Sequence, residues 1–418
     1  MKKSILVVLF SILLFFVGVL GGAFTLTYLT LPYHEELVES SSIYYSMNDN
    51  SSTVVASGVQ EAQEGAVSVH FLELGNKYTG DCTYVKVGKD IDILIDCGSK
   101  TSSISTVSNY LNQYVTDGKL EYVIITHAHQ DHYAGFATGD NLSSIFDLYK
   151  CENIITFSMS NQKTRPSTND TCSITTTKAG QASSTNMFER FLKELKAEEA
   201  NGATHYTATE FRLENPDGIK LLDAQNNITL QILDSYYYTN EAHSENDYSV
   251  CAQINQGQKK FIFTGDLEAE GEAKLVSLNQ AFLGQVEVYK AGHHGSKTSS
   301  SMTLLNVIQP KIVCVCCCAG SNEYTSNVDN QFPTTEFLVN ISSFTTNVYV
   351  TTLCIDYDKN QFQSFNGNIV VMANKEGNQT SVHCSNNTTI LKDTEWFALN
   401  RYERCKEKGL HQSWLKVS

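Results

Sequence analysis

Apolar and polar positions alternate in short blocks along most of this chain, and the blocks predict many short strands separated by helices. In the first part, β-prone runs, one stretch of helical spacing and one continuous apolar run follow one another at residues 67–74, 82–87, 91–95, 106–115 and 122–125. The run at 122–125 has no polar interruption, which is typical of a strand buried on both faces of a sheet. This part is therefore predicted to contain a sheet with helices packed on it.

Further blocks extend this organisation along the chain. Strand-like runs are predicted at 154–157, 228–233, 249–254, 261–263, 286–289, 312–318 and 348–353, and helical spacing at 142–149, 187–199, 267–278 and 334–339. A polar stretch at 158–184 is predicted to be a surface loop. Strand-rich blocks interleaved with helices in two similar halves predict an α/β fold of stacked sheets that helices cover on both outer faces.

Residues 5–31 form a long, largely apolar segment behind Met1, Lys2 and Lys3. Such a segment is either an uncleaved anchor in the membrane or a signal peptide that is cleaved before Phe24. Its length favours the anchor, and in both cases the rest of the chain is expected outside the cytoplasm. The predicted organisation is thus a signal-anchor or signal peptide at 1–33, a polar linker at 34–65, a folded domain at 66–375 and a C-terminal tail at 376–418.

Composition and charge narrow the range of partners. The chain has 418 residues, of which 41% are apolar and 18% charged, so it has enough apolar material to bury a core. Its formal net charge of -15 would repel a polyanion over most of the surface, and no stable complex with nucleic acid is expected. A phosphate-containing substrate would have to be attracted by local positive charge, such as a bound metal. The sequence does not indicate an oligomeric state.

The chain contains 12 cysteines, and several of them crowd into residues 314–318. Neighbouring cysteines do not easily chelate one metal. The apolar residues around them predict a buried strand in which cysteine serves as a small apolar side chain. Disulfides among the other cysteines are compatible with an oxidising compartment, but their spacing predicts no particular pairing.

A cluster of metal-binding residue types follows directly after the apolar run at 122–125. It consists of His127, His129, Asp131 and His132. Imidazole and carboxylate groups bind divalent metals, and a tight loop after a strand can aim alternate side chains at one point. Because Asp131 and His132 point away from the first two histidines, the spacing favours two metal ions over one. A bridging carboxylate is then needed elsewhere, and Asp266, just after a predicted strand, is the natural candidate.

A third group of candidate residues follows the predicted strand at 286–289. His293 and His294 are flanked by glycines, and adjacent histidines in that setting are poor core residues. We expect one of them to complete the second metal site and the other to contact substrate. Lys297 is expected to assist at a substrate phosphate. Together with Asp131, these three residues are the catalytic candidates.

These motifs and their order resemble the metallo-β-lactamase superfamily, through His127-x-His129-x-Asp131-His132 and Thr264-Gly265-Asp266. Within it, the chain is similar to the exported domain of DNA-uptake competence proteins (ComEC-like). That narrower resemblance covers roughly residues 67–373. It rests on His70-Phe-Leu-Glu-Leu-Gly75, Gly80-Asp81, Leu94-Ile-Asp96, Gly98, residues 246–250 and His293-His-Gly-Ser-Lys-Thr-Ser-Ser300.

The resemblance implies an αββα sandwich, in which helices cover the outer faces of two mixed β-sheets, with a dinuclear hydrolase site at one edge. It implies two divalent metal ions, zinc in the first place and manganese as the alternative. Asp96 would hold a ligand histidine in place, and His243, at 266 − 243 = 23 positions before Asp266, would be the third ligand of the first metal. Two positions depart from the family pattern: Phe332 replaces a usual substrate-contacting histidine, and Ala134 replaces a usual glycine.

The leading functional hypothesis is phosphodiester hydrolysis, on nucleic acid or on another phosphate-containing polymer. Two cations would make water acidic enough to attack near neutral pH and would stabilise charge that develops at the attacked centre. Two alternatives stay open. One is hydrolysis of an amide, ester or lactam by the same metal pair, and the other is a surface-anchored binding module without catalysis.

Overall fold

The computed structural model describes residues 41–46, 52–56, 66–139, 143–164, 173–178, 186–376 and 379–416. The predicted membrane anchor or signal peptide at 1–33 lies outside these residues. Within them, no helix combines the length and the apolar character that crossing a bilayer requires.

The described residues form a strand-rich structure with short helices. In chain order, the strands are β1 (Ser41–Ser46), β2 (Ser52–Ala56), β3 (Val67–Phe71), β4 (Thr83–Val87), β5 (Ile91–Ile95), β6 (Lys119–Ile125), β7 (Lys150–Thr156), β8 (Met159–Lys163), β9 (Thr175–Lys178), β10 (Thr204–Thr207), β11 (Ile219–Asp223), β12 (Ile228–Ile232), β13 (Ala252–Gln256), β14 (Lys259–Phe263), β15 (Val288–Lys290), β16 (Ile312–Ala319), β17 (Val348–Asp356), β18 (Gln361–Ser364), β19 (Ile369–Ala373) and β20 (Gln379–Cys384). The α-helices are α1 (Ile104–Leu111), α2 (Gln130–Tyr133), α3 (Ile145–Leu148), α4 (Met187–Ala200), α5 (Ala208–Glu214), α6 (Ala269–Leu278), α7 (Met302–Ile308), α8 (Thr335–Ser342), α9 (Glu395–Asn400) and α10 (Tyr402–Glu407).

Two large mixed sheets make up the centre of the fold. The first has the spatial order β10-β7-β6-β5-β4-β3-β19-β20-β1-β2, and the second has the order β11-β12-β13-β14-β15-β16-β17-β18. Strands β5, β6 and β7 are parallel in the first sheet, and β14 to β17 are parallel in the second. Parallel strands need buried faces on both sides, which explains their continuous apolar runs.

Buried side chains define the order of the layers. One cluster joins the first sheet to inward-facing residues of the second, such as Phe261, and to helix residues such as Val107 and Phe188. A second cluster joins outward-facing residues of the second sheet to helix residues such as Leu304 and Phe337. Helices therefore cover both outer faces of the stacked sheets, and the predicted αββα sandwich is confirmed.

Both ends of the predicted domain differ from the structure. The predicted linker at 34–65 contains β1 and β2, and β1 pairs with β20 in the first sheet. The predicted tail at 376–418 supplies β20 itself, and its Trp414 is buried against the second sheet's helices. Short β-prone runs in polar surroundings carried too weak a periodic signal to show this pairing between distant segments.

Two other predictions have clear outcomes. The cysteine-rich strand is confirmed, since Cys314 and Cys316 to Cys318 lie in fully buried β16. Each described cysteine is a free thiol. The stretch at 158–184, predicted to be a surface loop, instead contains the paired strands β8 and β9.

The carboxyl ends of three parallel strands position the chemistry-bearing loops. Strand β6 leads into the loop at 126–132, β14 leads into the turn at 264–266, and β15 leads into the turn at 291–296. In sheets of this kind, loops at the carboxyl ends of neighbouring strands meet at one edge. The sandwich thus brings segments from both sheets together.

Candidate metal centre

The first predicted ligands lie in the loop that follows β6. His127 is fully buried, and its Nε2 lies 3.1 Å from Nδ1 of His129. Its Nδ1 lies 3.1 Å from the hydroxyl of Thr126, so Nε2 is the nitrogen that faces the site. Oδ2 of Asp266 lies 3.9 Å from His127 Nε2. These side chains present two ring nitrogens and one carboxylate oxygen to a common region, where they can hold one divalent cation.

A second set of donor atoms shares Asp266. His132 Nε2 lies 3.2 Å from Asp266 Oδ2 and 3.3 Å from His294 Nε2. His294 Nε2 lies 3.4 Å from Oδ2 of both Asp266 and Asp131. Donor atoms of a regular tetrahedron are about 1.63 bond lengths apart, so metal bonds of about 2.0–2.1 Å need donors about 3.3–3.4 Å apart. His132, Asp266 and His294 have this spacing among themselves, and Asp131 has it to His294, so these side chains can hold a second cation.

The orientation of two imidazoles is set through their Nδ1 atoms. His132 Nδ1–H donates to Asp96 Oδ2 at 2.8 Å, and His294 Nδ1–H donates to the backbone oxygen of Cys316 at 3.0 Å. Asp96 also accepts hydrogen bonds from the backbone N–H and the hydroxyl of Thr126, at 2.8 and 2.7 Å. With the proton on Nδ1, each ring keeps the lone pair on Nε2 free for a metal.

Asp81 and Lys290 form a buried ion pair beside the second set, and the sequence did not predict it. Lys290 Nζ also lies 3.6 Å from Asp266 Oδ1. Donor atoms within 4.8 Å of one another are found on Asp81, His132, Asp266 and His294. However, Asp81 faces the Nδ1 atoms of the two imidazoles, at 3.2 and 3.7 Å, and these atoms already have acceptors. Asp81 is therefore better placed to orient the imidazoles than to share their metal.

The electrostatics of the site favour bound cations. Burial alone would lower the pKa of His132, but nearby carboxylates, Asp266 foremost, raise it to about 10. Burial would raise the pKa of Asp131, but the hydrogen bond from His294 and the charge of His132 lower it. In the described part of the chain, Asp266 Oδ1 is buried without a hydrogen-bond partner. Ionised carboxylates in this setting need positive charge, and divalent cations supply it.

Two glycines allow close packing around the loop that carries the predicted ligands. A Cβ on Gly98 would lie 1.6 Å from the backbone oxygen of Asp131, and a Cβ on Gly135 would lie 2.2 Å from Sγ of Cys97. Any side chain at these positions would displace the loop. Ala134, which departs from the expected glycine, is buried without such a requirement, because Gly135 makes the close contact.

A pocket of about 350 Å³ opens beside these ligands. Its lining residues are Thr79, Ser99, Lys100, His129, Gln130, Asp131, Asp266, His293, Glu323, Tyr324 and Phe332. The His293 side chain is 20% exposed there, and its Nε2 lies 3.8 Å from Asp266 Oδ2. The Phe332 ring, at the position of the missing histidine, lies 5.7 Å from the rings of His293 and Tyr324.

Comparison with known protein families agrees with this geometry. The family model described as the metallo-β-lactamase superfamily matches residues 75–141, a segment that contains the whole ligand loop after β6. The chain is a relative of the metallo-β-lactamase superfamily. Its two mixed sheets and their outer helices are those of a metallo-β-lactamase-type sandwich, and the fold is that of metal-dependent hydrolases.

Curated relatives support the narrower resemblance. The chain is 30% identical over 111 residues to ComE operon protein 3 of Bacillus subtilis, which is 25% of this chain and 14% of that protein. It is 33% identical over 72 residues to Recombination protein 2 of Haemophilus influenzae, which is 17% of this chain and 9% of that protein. The predicted relationship to ComEC-like proteins is supported, and the matches span only a small part of those longer relatives.

The metallo-β-lactamase-type site does not include two residues that the sequence suggested. His243 is exposed in the loop before a 3-10 turn, and no contact among the described residues joins it to the histidine cluster. Its charge acts instead on Glu270, whose pKa is lowered mainly by Lys274 and to a smaller extent by His243. Lys297 is also exposed and does not line the pocket. Sequence distance alone did not reveal that both loops direct these side chains toward solvent.

Proposed function

We propose that this protein is a phosphodiesterase whose site holds two divalent metal ions. One observation carries the proposal. Oδ2 of Asp266 lies 3.2–3.9 Å from ring nitrogens of His127, His132, His293 and His294, which come from two loops other than its own. A carboxylate oxygen among four imidazoles is a suitable bridge between two cations.

The donor atoms divide between the two ions. His127, His129 and Asp266 would hold the first, and Asp131, His132, Asp266 and His294 would hold the second. Such a pair, when bound, activates water near neutral pH and stabilises negative charge on the attacked group. Zinc is the expected metal, because imidazole and carboxylate ligands with this spacing suit it, and manganese is the alternative.

Other residues around the pocket would face the substrate, orient a metal ligand or exclude water from the site. The partly exposed His293 faces the pocket, and its Nδ1 is held 2.9 Å from the hydroxyl of Thr298. Tyr324 donates a hydrogen bond to Asp131 Oδ2 at 3.2 Å and orients that carboxylate. Burial of His127, His132 and His294 keeps bulk water away from their ligand atoms, which strengthens electrostatic interactions inside the site.

A phosphodiester is the preferred substrate for two reasons. Recombination protein 2, a relative, is named for a process that acts on nucleic acids. The net charge of -15 also means that only a site with concentrated positive charge can attract an anionic substrate, and a metal pair supplies that charge. We further propose that residues 1–33 anchor the protein in the membrane, so that the site acts outside the cytoplasm.

Hydrolysis of bis-p-nitrophenyl phosphate and of a chromogenic cephalosporin tests the assignment. The full chain is assayed with zinc or manganese, beside the variants Asp266→Asn and His127→Ala. Lys274→Ala, at an exposed ion pair, is the matched control. We expect metal-dependent hydrolysis of the phosphodiester alone, which both ligand variants reduce by about 100-fold or more, and which the control retains.

The other outcomes separate the alternatives. Cleavage of the cephalosporin without cleavage of the phosphodiester would assign the site to amide or lactam hydrolysis. Two tightly bound ions without hydrolysis of either substrate would indicate a binding module. Activity that persists in Asp266→Asn would contradict the proposed bridging role.

A further inference from the structure

The pocket is lined by a lysine other than Lys297, which was the one that the sequence suggested. Lys297 is exposed and lies outside the pocket lining. Lys100 is half-buried and lines it, and among the lining residues it is the sole lysine or arginine. The positive side chain nearest to a pocket substrate is therefore Lys100, which follows β5 and immediately precedes a 3-10 turn (Thr101–Ser103).

Lys100 is held in position; burial raises the pKa of the Glu323 carboxyl, and the charge of Lys100 lowers it. Its Nζ lies 4.4 Å from the ring centre of Tyr78, which is a cation–π contact. Tyr78 in turn packs edge-on against Tyr357 at 6.3 Å. No carboxylate within the described ranges lies within ion-pair distance of the Lys100 ammonium. Glu323 lines the same pocket, but its Oε2 accepts the backbone N–H of Thr79 at 2.9 Å.

Another part of the pocket lining is aromatic and uncharged. Tyr324 is 59% exposed, and its ring lies 5.7 Å from the Phe332 ring. The Phe332 ring also lies 5.7 Å from the ring of His294, so it reaches from the metal ligands to the exposed tyrosine. The Tyr324 and Phe332 rings are tilted by 52° to each other, and the face of either ring can bind a planar group by stacking.

We propose that Lys100 binds the phosphate of the substrate and that Tyr324 and Phe332 bind a planar group attached to that phosphate. The inference rests on the proposed phosphodiesterase function and narrows its substrate to nucleoside or other aryl phosphoesters. The pocket volume of about 350 Å³ lies within the range of small-molecule sites, which suits a single such unit. Phe332 thus serves substrate binding in place of the missing histidine.

Binding of thymidine 5′-monophosphate to the metal-loaded full chain tests the inference. It is measured by calorimetry, and the KM and kcat for thymidine 5′-(p-nitrophenyl phosphate) are measured in parallel. Lys100→Ala should weaken binding and raise KM by about 10- to 100-fold, as expected for a lost hydrogen bond to a charged group, with a smaller change in kcat. Lys100→Arg should restore most of the affinity, and Lys297→Ala, the matched control, should bind like the unmodified protein.

Variants of Tyr324 test the proposed aromatic contact with the substrate. Tyr324→Ala should weaken binding of the nucleotide by about 5-fold or more, and by more than Tyr324→Phe, which keeps the ring and loses only the hydrogen bond to Asp131. The loss of nucleotide affinity caused by Lys100→Ala should become smaller as the salt concentration is raised. A purely structural role of Lys100 would not produce this salt dependence.

Four results are decisive. Equal affinity in Lys100→Ala and Lys297→Ala, or no binding of the nucleotide by the unmodified protein at millimolar concentration, would overturn the inference. Nucleotide binding that depends on Lys100 without hydrolysis of any phosphodiester would support the subsite and remove the proposed function. Loss of affinity in both Lys100→Ala and Lys100→Arg, with unchanged thermal midpoints, would exclude a simple charge contact.

Discussion

Removal of the Lys290 ammonium should destabilise the fold through the carboxylate that it leaves behind. The Lys290 and Asp81 side chains are each 3% exposed, and Lys290 also lies 3.6 Å from Asp266 Oδ1. Breaking a buried ion pair by removing one partner costs about 3–5 kcal/mol, because the other charge stays buried and uncompensated. We therefore expect Lys290→Met to lower the free energy of unfolding by that amount. Replacing both partners, as in Lys290→Met with Asp81→Asn, should recover most of the loss.

Urea unfolding followed by far-UV circular dichroism, with EDTA present so that metal binding does not contribute, measures this effect. With a slope of about 3 kcal/mol per M of urea, the single variant should shift the midpoint by about 1–1.7 M. Lys119→Met, which removes an exposed ion pair with Glu152, should leave the midpoint unchanged. A double variant that is less stable than Lys290→Met alone would refute the reasoning, because the destabilisation would then not come from an unpaired Asp81.

Three further predictions follow from other contacts. Asp96→Ala should weaken metal binding about 10- to 100-fold, measured by competition with a chelating dye, because a ligand imidazole loses its acceptor. Gly98→Ala should abolish metal binding and lower the thermal midpoint, since its Cβ would collide with the backbone of Asp131; Gly284→Ala, whose Cβ would make an ordinary contact with Lys260 Nζ at 3.7 Å, should do neither. Burial lowers the pKa of His70 from 6.5 to about 3, so the unfolded chain binds a proton that the folded protein does not. Stability should therefore fall by up to about 1.4 kcal/mol per pH unit as the pH drops below about 6.5, and urea unfolding of His70→Gln between pH 6 and 4.5 should show a slope smaller by about one proton.

The candidate ligand set could be predicted from the sequence because its residues lie in short loops directly after apolar runs. An apolar run followed by His127 and His129 predicts both a strand and a metal-binding loop. Asp266 follows the same rule, and so does the adjacent pair His293 and His294. The sheet architecture was predictable for a related reason, since strands buried on both faces have a strong and continuous apolar signal.

The contacts between distant segments were not predictable in this way. Asp81 stands just before β4 and Lys290 at the end of β15, and only the packing of the two sheets makes them partners. The same holds for Lys100, which enters the pocket from a turn that carries no metal-binding motif. Lys297 was favoured because it adjoins a recognisable motif, although its turn directs it to solvent. Proximity to a recognisable motif in the sequence is therefore a weaker indication that a lysine lines the pocket than the direction in which its turn places the side chain.

We propose that loops from both sheets gather two cations around Asp266. Anomalous diffraction from crystals of the zinc-loaded protein, collected at the zinc edge, tests it most directly. We expect two peaks about 3.5–4 Å apart that share Asp266, one bound by His127 and His129 and the other by Asp131, His132 and His294. A single peak that does not contact Asp266, or no peak among these side chains, would contradict it.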